Sequence, residues 1–178
     1  LIIPGTINAY SAKLAELANH NSIYLSGSGV AAASYGLPDL GVTTLENVLI
    51  DAKRITSATS LPLLVDIDTG WGDFDAISNT IIEMGNANVA AVHIEDQIFD
   101  KRCGHRPNKQ LVSIDEMQDR LKAALDAKID DSFFIMARTD ALASEGIEKA
   151  IERCGKYLDV GADGIFFEAA VSIDEYKE

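Results

Sequence analysis

The feature that most limits how this chain can fold is a repeated order. A short apolar run is followed by a polar or acidic residue, and then by a longer stretch with helical periodicity. The runs are Leu1 to Ile7, Ile23 to Ser26, Leu61 to Ile67, Val89 to Ile94, Phe133 to Met136 and Gly164 to Phe167. Each is too short for a helix and rich in Val, Ile or Phe, so all six read as buried parallel strands. The stretches between them carry one apolar face each. Leu45, Val48, Leu49, Ala52 and Ile55 follow Thr44, while Phe74, Ile77, Ile81 and Met84 follow Asp73 and stop at Gly85. Met117, Leu121, Ala124 and Leu125 follow a capping box, Ser113 with Glu116. Ile147, Ala150, Ile151, Cys154 and Leu158 run up to Gly161, a stripe that places Cys154 in the core as packing.

Repeated strand-then-helix units imply a parallel sheet covered by helices. A doubly wound open sheet would carry a glycine-rich phosphate loop after its first strand. Pro4-Gly5-Thr6-Ile7-Asn8 is not such a loop. The expected architecture is therefore an α/β fold of the (β/α)8 TIM-barrel type, a single domain over residues 1–178 holding about six of the eight units, since a whole barrel takes ~250 residues. The chain opens inside a strand-like run and closes about one turn after another capping box, Ser172 with Glu175. Both ends read as cut, and the full protein is expected to continue past Glu178.

Composition narrows the function. The chain has 178 residues, 47% of them apolar, which suffices for one sizeable core. No run approaches the ~20 apolar residues of a membrane helix. Fifteen basic against 28 acidic residues give a net charge of −13, which argues against nucleic acid as a partner. Cys103 and Cys154 lie far apart in different contexts, so free thiols in a reducing cytoplasm are expected.

Chemistry collects at the strand ends. Ser26, Asp66, Asp68, Glu95, Arg138, Asp140 and Glu168 fall at the C-terminal ends of different runs, the rim where barrel enzymes place their active sites. Asp66 and Asp68 are spaced to share one strand face, and converging carboxylates repel unless a cation intervenes. Hard oxygen donors suit Mg²⁺, with Mn²⁺ as the alternative, and Glu95 could join through water. His93 reads as a hydrogen-bonded interior histidine. Arg138 is placed to grip a carboxylate or to stabilise developing negative charge. In Lys101-Arg102-Cys103-Gly104-His105, extended by Arg106-Pro107-Asn108-Lys109, a thiol stands among cations. Lys101, Arg102 and His105 would favour a thiolate nucleophile. A general acid would instead need a protonated thiol, which an ordinary thiol pKa of ~8.5 provides near neutrality. Bulk chemistry leaves both open. Together these groups imply a small polyanionic ligand, a di- or tricarboxylate, with a phosphonate or phosphate ester as the alternative.

Tyr24-Leu25-Ser26-Gly27-Ser28-Gly29-Val30, Gly36-Leu37-Pro38-Asp39, Asp66-Ile67-Asp68-Thr69-Gly70, His93-Ile94-Glu95-Asp96-Gln97 and Lys101 through Lys109 form one pattern. Across nearly its whole length the chain resembles the isocitrate lyase and phosphoenolpyruvate mutase superfamily, and the Lys-Arg-Cys-Gly-His loop is similar to its lyase-like branch. The resemblance implies Mg²⁺-dependent cleavage of 2-methylisocitrate to pyruvate and succinate, in the methylcitrate route of propionate breakdown. Isocitrate cleavage and oxaloacetate hydrolysis are the related alternatives, and a non-catalytic fragment is the alternative of another class. It further implies that Ser26, Gly27 and Ser28 hold a substrate carboxylate and that Asp66 and Asp68 bind the metal. Cys103 and Gly104 would contact the succinate portion, with Cys103 as the proton donor, and Arg138 and Glu168 would complete the substrate shell. Asp39 falls on a rim loop that the superfamily uses in catalysis. The full-length chain would be a cytoplasmic homotetramer. The pattern is departed from at Ser28, Ile67 and Phe167, where glycine, alanine and proline are expected.

Overall fold

The structure, a computed structural model, describes residues 1–106 and 108–177. Five parallel strands form its sheet: β1 (Ile23–Leu25), β2 (Leu63–Asp66), β3 (Ala91–Glu95), β4 (Phe134–Thr139) and β5 (Gly164–Phe167). Their spatial order follows the chain without reversal, β1-β2-β3-β4-β5. A doubly wound sheet reverses its order at a switch point, whereas a barrel adds each strand beside the last. The sheet is thus an arc of a (β/α)8 barrel, as expected.

The sixth run, Leu1 to Ile7, is not a strand. Only Gly5 bridges Tyr24, with Thr6 N–H donating to the Tyr24 carbonyl at 2.7 Å and Tyr24 N–H to the Pro4 carbonyl at 2.9 Å. Pro4 has no N–H to extend the ladder, and Leu1 and Ile2 are exposed, so apolar character there does not reflect burial.

The helices that cover the arc are α1 (Ala9–Leu17), α2 (Gly27–Tyr35), α3 (Leu45–Thr56), α4 (Phe74–Asn86), α5 (Ile114–Asp126), α6 (Leu142–Glu145), α7 (Ile147–Val160) and α8 (Ile173–Lys177). Caps fix several of their starts. Thr44 and Asp73 accept from the backbone N–H groups of Asn47 and Ala76. Ser113 caps α5 through Glu116 N–H, but the Glu116 carboxylate turns to Arg120 at 2.7 Å instead of closing the box. At α8 the expected box is complete, since Ser172 and Glu175 bond reciprocally.

Two helix expectations need correction. Gly85 does not end α4, which runs on to Asn86, and the left-handed residue that turns the chain is Asn88 at φ 57°. Gly85 serves close packing instead, because a Cβ there would lie 2.7 Å from Ile129 Cδ1. On α7 the inward face is Ala150, Arg153 and Tyr157, while Ile151 and Leu158 are substantially exposed and Cys154 is half-buried. The apolar stripe misplaced that face because a buried carboxylate, Asp96, draws the polar ends of Arg153 and Tyr157 inward.

Candidate active site

The polar strand ends meet at one mouth of the arc. Ser26, Ser28, Asp39, Asp66, Cys103, Gly104, Arg138 and Glu168 line a single cleft of about 230 Å³. Gly27 and Asp68 sit immediately behind it, since a Cβ on Gly27 would lie 3.1 Å from Asp66 Oδ2 and 3.3 Å from Asp68 Oδ1. Its floor is a stack of rings, with Tyr24 to His93 centroids 5.6 Å apart and His93 to Phe166 4.6 Å apart. Tyr24 Oη and His93 Nε2 share a hydrogen bond of 3.0 Å. Burial pushes His93 down to about 4, so it is the neutral interior histidine that the sequence suggested.

Asp66 and Asp68 do converge, though not by strand alternation. β2 ends at Asp66, and Asp68 lies in a left-handed turn at φ 48°, closed by Gly70 N–H donating to the Ile67 carbonyl at 2.8 Å. Aspartate tolerates that conformation better than most residues. Asp68 N–H donates to Asp66 Oδ1 at 3.1 Å and Gly27 N–H to Asp66 Oδ2 at 3.1 Å, so Asp66 is held from both sides. Burial alone would raise its pKa, but the charges of Arg138 and Lys101 and the Asp68 N–H, joined by His93 only when that ring is protonated, more than offset this and hold it below the usual carboxylate range. Asp68 moves the other way, pushed up to about 6 by burial and by the Asp66 charge. Glu95 rises well above its ordinary value through burial, against the opposing pull of Arg138, whose Nε lies 3.2 Å from Glu95 Oε2.

Lys101 answers this cluster from above. Its buried ammonium lies 2.7 Å from Asp39 Oδ1 and 2.6 Å from Asp68 Oδ1. Burial disfavours its charge, yet Asp68, Glu95 and Asp66 outweigh burial and keep it protonated. The sequence placed Lys101 among the cations acting on the thiol, but its ammonium is paired with the Asp39 and Asp68 carboxylates. The compensation is incomplete: Asp68 Oδ1 has the Lys101 ammonium as its partner, but both Glu95 oxygens accept no hydrogen bond. Among the described residues no three His, Cys, Asp or Glu side chains form a ready metal cage. A hard divalent cation that keeps its waters needs only one or two carboxylates, so unsatisfied acceptors beside the Asp66–Asp68 pair fit that chemistry.

The cysteine loop comes down on the opposite wall. Gln97 holds its base by accepting from Arg102 N–H at 2.9 Å and donating to the Arg102 carbonyl at 2.8 Å. Gly104 lies so close to that wall that a Cβ would come within 2.5 Å of Arg138 Nη2 and 2.6 Å of Glu168 Oε1. His105, itself exposed, puts Nε2 3.3 Å from Glu168 Oε1. Arg138 is aimed by Asp140, which accepts from Nε at 3.0 Å and from Nη2 at 3.3 Å, and its guanidinium lies 5.6 Å from the Phe166 ring centroid.

Four residues that the sequence reading quoted within its motifs but gave no role of their own also contribute: Gln97, Lys109, Tyr24 and the buried Asp96. Asp96 accepts from Thr139 Oγ1 at 2.7 Å, Tyr157 Oη at 2.8 Å and Asp140 N–H at 2.9 Å. The available signal was a pair of adjacent acids closing an apolar run; strand alternation sends Glu95 into the barrel and Asp96 out toward α7.

The family model described as phosphoenolpyruvate phosphomutase matches residues 1–177. The 2-methylisocitrate lyase of Shewanella oneidensis is 61% identical over 177 residues, covering 99% of this chain and 61% of that protein. That of Vibrio cholerae is 58% identical over 178 residues, covering 100% of this chain and 58% of that protein. Among solved structures, 2,3-dimethylmalate lyase matches with a TM-score of 0.95 at 36% identity, over 99% of this chain and 60% of its own. Oxaloacetate acetylhydrolase bound to 3,3-difluorooxalacetate matches with a TM-score of 0.94 at 36% identity, over 98% of this chain and 60% of its own. The chain therefore spans about three fifths of the length of these relatives. A family match over residues 1–177, on a parallel barrel arc whose rim gathers Asp66, Asp68, Cys103, Arg138 and Glu168, leaves one conclusion: the chain belongs to the phosphoenolpyruvate phosphomutase family.

Proposed function

We propose that the protein of which this chain is part cleaves 2-methylisocitrate to pyruvate and succinate, as a Mg²⁺-dependent carbon–carbon lyase. The observation that carries this reading is the Cys103-Gly104 turn, docked against Arg138 and Glu168 in a cleft that Asp66 also lines, with Asp68 immediately behind. The substrate is a polyanion, and the cleft supplies opposite kinds of anchor at its two ends. Breaking the carbon–carbon bond leaves an electron pair on a carbon beside a carboxylate, and a positioned acid must protonate it. Cys103 is the group on that wall with a proton to give, while Arg138 holds the neighbouring carboxylate and the backbone at Gly104 closes around it. On the other side an oxygen gives up a proton and becomes a carbonyl. Asp66 and Asp68 would hold Mg²⁺, which supplies positive charge opposite the negative charge developing there. Ser26 and Ser28, at the N-terminus of α2, would bind the carboxylate of the pyruvate portion. Asp39, fixed by Lys101 at 2.7 Å, stands on the rim beside them as a candidate proton acceptor.

The test is pyruvate release from 2-methylisocitrate by the full-length protein with Mg²⁺, measured beside isocitrate and oxaloacetate. The expected order of kcat/KM places 2-methylisocitrate first, with a margin over isocitrate on the order of 10- to 200-fold, the reach of one methyl group in a pocket. No release of pyruvate, with or without metal, sinks the reading. For the metal, Asp66→Ala and Asp68→Ala should each raise the Mg²⁺ concentration needed for half-maximal rate, by about tenfold or more, the effect of losing one of two anionic ligands. An unchanged metal titration would remove those residues from the site.

A further inference from the structure

Lys109 is a lysine buried almost completely, eight residues beyond Lys101, and the lyase reading gives it no part. Its side chain is 1% exposed, and its ammonium donates to the Gly104 carbonyl at 2.6 Å and to Asp140 Oδ1 at 2.9 Å. Asp140 is equally buried and uses the same carboxylate to orient Arg138 through Nε and Nη2. Its backbone N–H is fixed in turn by Asp96 Oδ1 at 2.9 Å. One carboxylate thus meets both the arginine of the cleft wall and the lysine that grips the turn next to Cys103.

We propose that Lys109 and Asp140 form a clasp, a positioning pair that holds the Cys103-Gly104 turn against Arg138 and Glu168. The physical case rests on three points. A buried ammonium with two charge-assisted hydrogen bonds is expensive to leave unpaired, so the pair strongly prefers the docked arrangement. The docked carbonyl belongs to Gly104, the residue whose missing Cβ permits contact with Arg138 and Glu168. Asp140 stands at the end of β4, braced through Asp96 by Arg153 and Tyr157 of α7, so the clasp is anchored in the core rather than in another loop. Neither Lys109 nor Asp140 needs to touch substrate. Their effect is to set where the Cys103 thiol stands.

The proposal deepens the lyase reading, and its test separates the two. Thiol alkylation by iodoacetamide, followed residue by residue by peptide mass spectrometry on the full-length protein, reads the turn directly. Cys154 on α7 serves as an internal control, its thiol pushed up to about 11 by burial. In Lys109→Met, alkylation of Cys103 should accelerate by about tenfold or more, the scale of losing a charge-assisted hydrogen bond, with Cys154 unchanged. Electrostatics cannot mimic that result, because removing a nearby cation disfavours the thiolate and slows alkylation. With 2-methylisocitrate, kcat should fall by about tenfold while KM moves less, because the displaced group acts in the transition state. Asp140→Asn, isosteric but uncharged, repeats the test without opening a cavity. Cys103 alkylation within twofold of the parent in both variants would overturn the clasp, as would a parallel rise at Cys154, which marks general loosening. Accelerated alkylation in a protein that releases no pyruvate would keep the clasp and sink the lyase reading, and release with unchanged alkylation would do the reverse.

Discussion

Cys103→Ser should lower kcat for 2-methylisocitrate cleavage by about 10³-fold, within the 10²- to 10⁴-fold range of a positioned general acid, and leave KM within a few-fold. Serine has nearly the shape of cysteine, so the turn that Gln97 and Lys109 hold should stay docked. On the proposed mechanism, what changes is the acid. A hydroxyl gives up its proton far less readily than a thiol, and the cost appears when the carbanion-like carbon must be protonated. Binding should survive because the anchors for the substrate's carboxylates lie elsewhere, at Arg138 on one wall and around Ser26 and Ser28 on the other. The sequence left acid and nucleophile open, and the structure bears on that choice. Of the three groups that could favour a thiolate, Lys101 is spent on Asp39 and Asp68, His105 is turned to Glu168, and Arg102, next to the thiol in sequence, is exposed to solvent. Steady-state kinetics on the purified variant checks the expectation. Near-normal turnover would take Cys103 out of the mechanism, and a rise in KM at constant kcat would recast it as a binding residue.

The arc was legible because a parallel barrel repeats one simple pattern. Runs such as Leu61 to Ile67 and Val89 to Ile94 are apolar because both faces of those strands are buried, and chain order alone then predicts neighbours. Legibility failed where a polar contact overruled the pattern. On α7, Arg153 and Tyr157 turn inward to reach Asp96, and no apolar stripe reports that. At Leu1 to Ile7, Pro4 interrupts the backbone ladder that hydrophobicity implied. Asp66 and Asp68 were paired correctly for an incomplete reason, since a left-handed turn brings them together. Lys101 and Lys109 show the deeper limit. In sequence they are two of several cations near a thiol, while in space one belongs to the carboxylates and the other to Gly104 and Asp140. Charge density marked the site, but only side-chain direction assigns each charge its partner.

That assignment makes Lys101→Met the substitution with the largest expected effect on stability. Lys101 is the ammonium that faces Asp39, Asp68 and, at longer range, Asp66 and Glu95. Removing one partner of a buried ion pair costs about 3–5 kcal/mol, because the charge left behind has neither water nor counterion. Methionine fills a similar volume, so the cost should be electrostatic and should therefore depend on pH. Asp68 already holds its proton up to about 6, against 3.8 for the free side chain. A carboxyl raised on folding contributes stability that is fully present below its unfolded value and lost as pH rises through its folded value. Without Lys101 the folded value moves further up, so near pH 5 the variant can protonate Asp68 and recover part of the loss, whereas near pH 8 it cannot. Urea unfolding of parent and variant with a metal chelator present, at those two pH values, should show the larger deficit at pH 8. An equal deficit at both, or one below about 1 kcal/mol, the level of an exposed pair, would mean that Lys101 is not the counterion of this cluster.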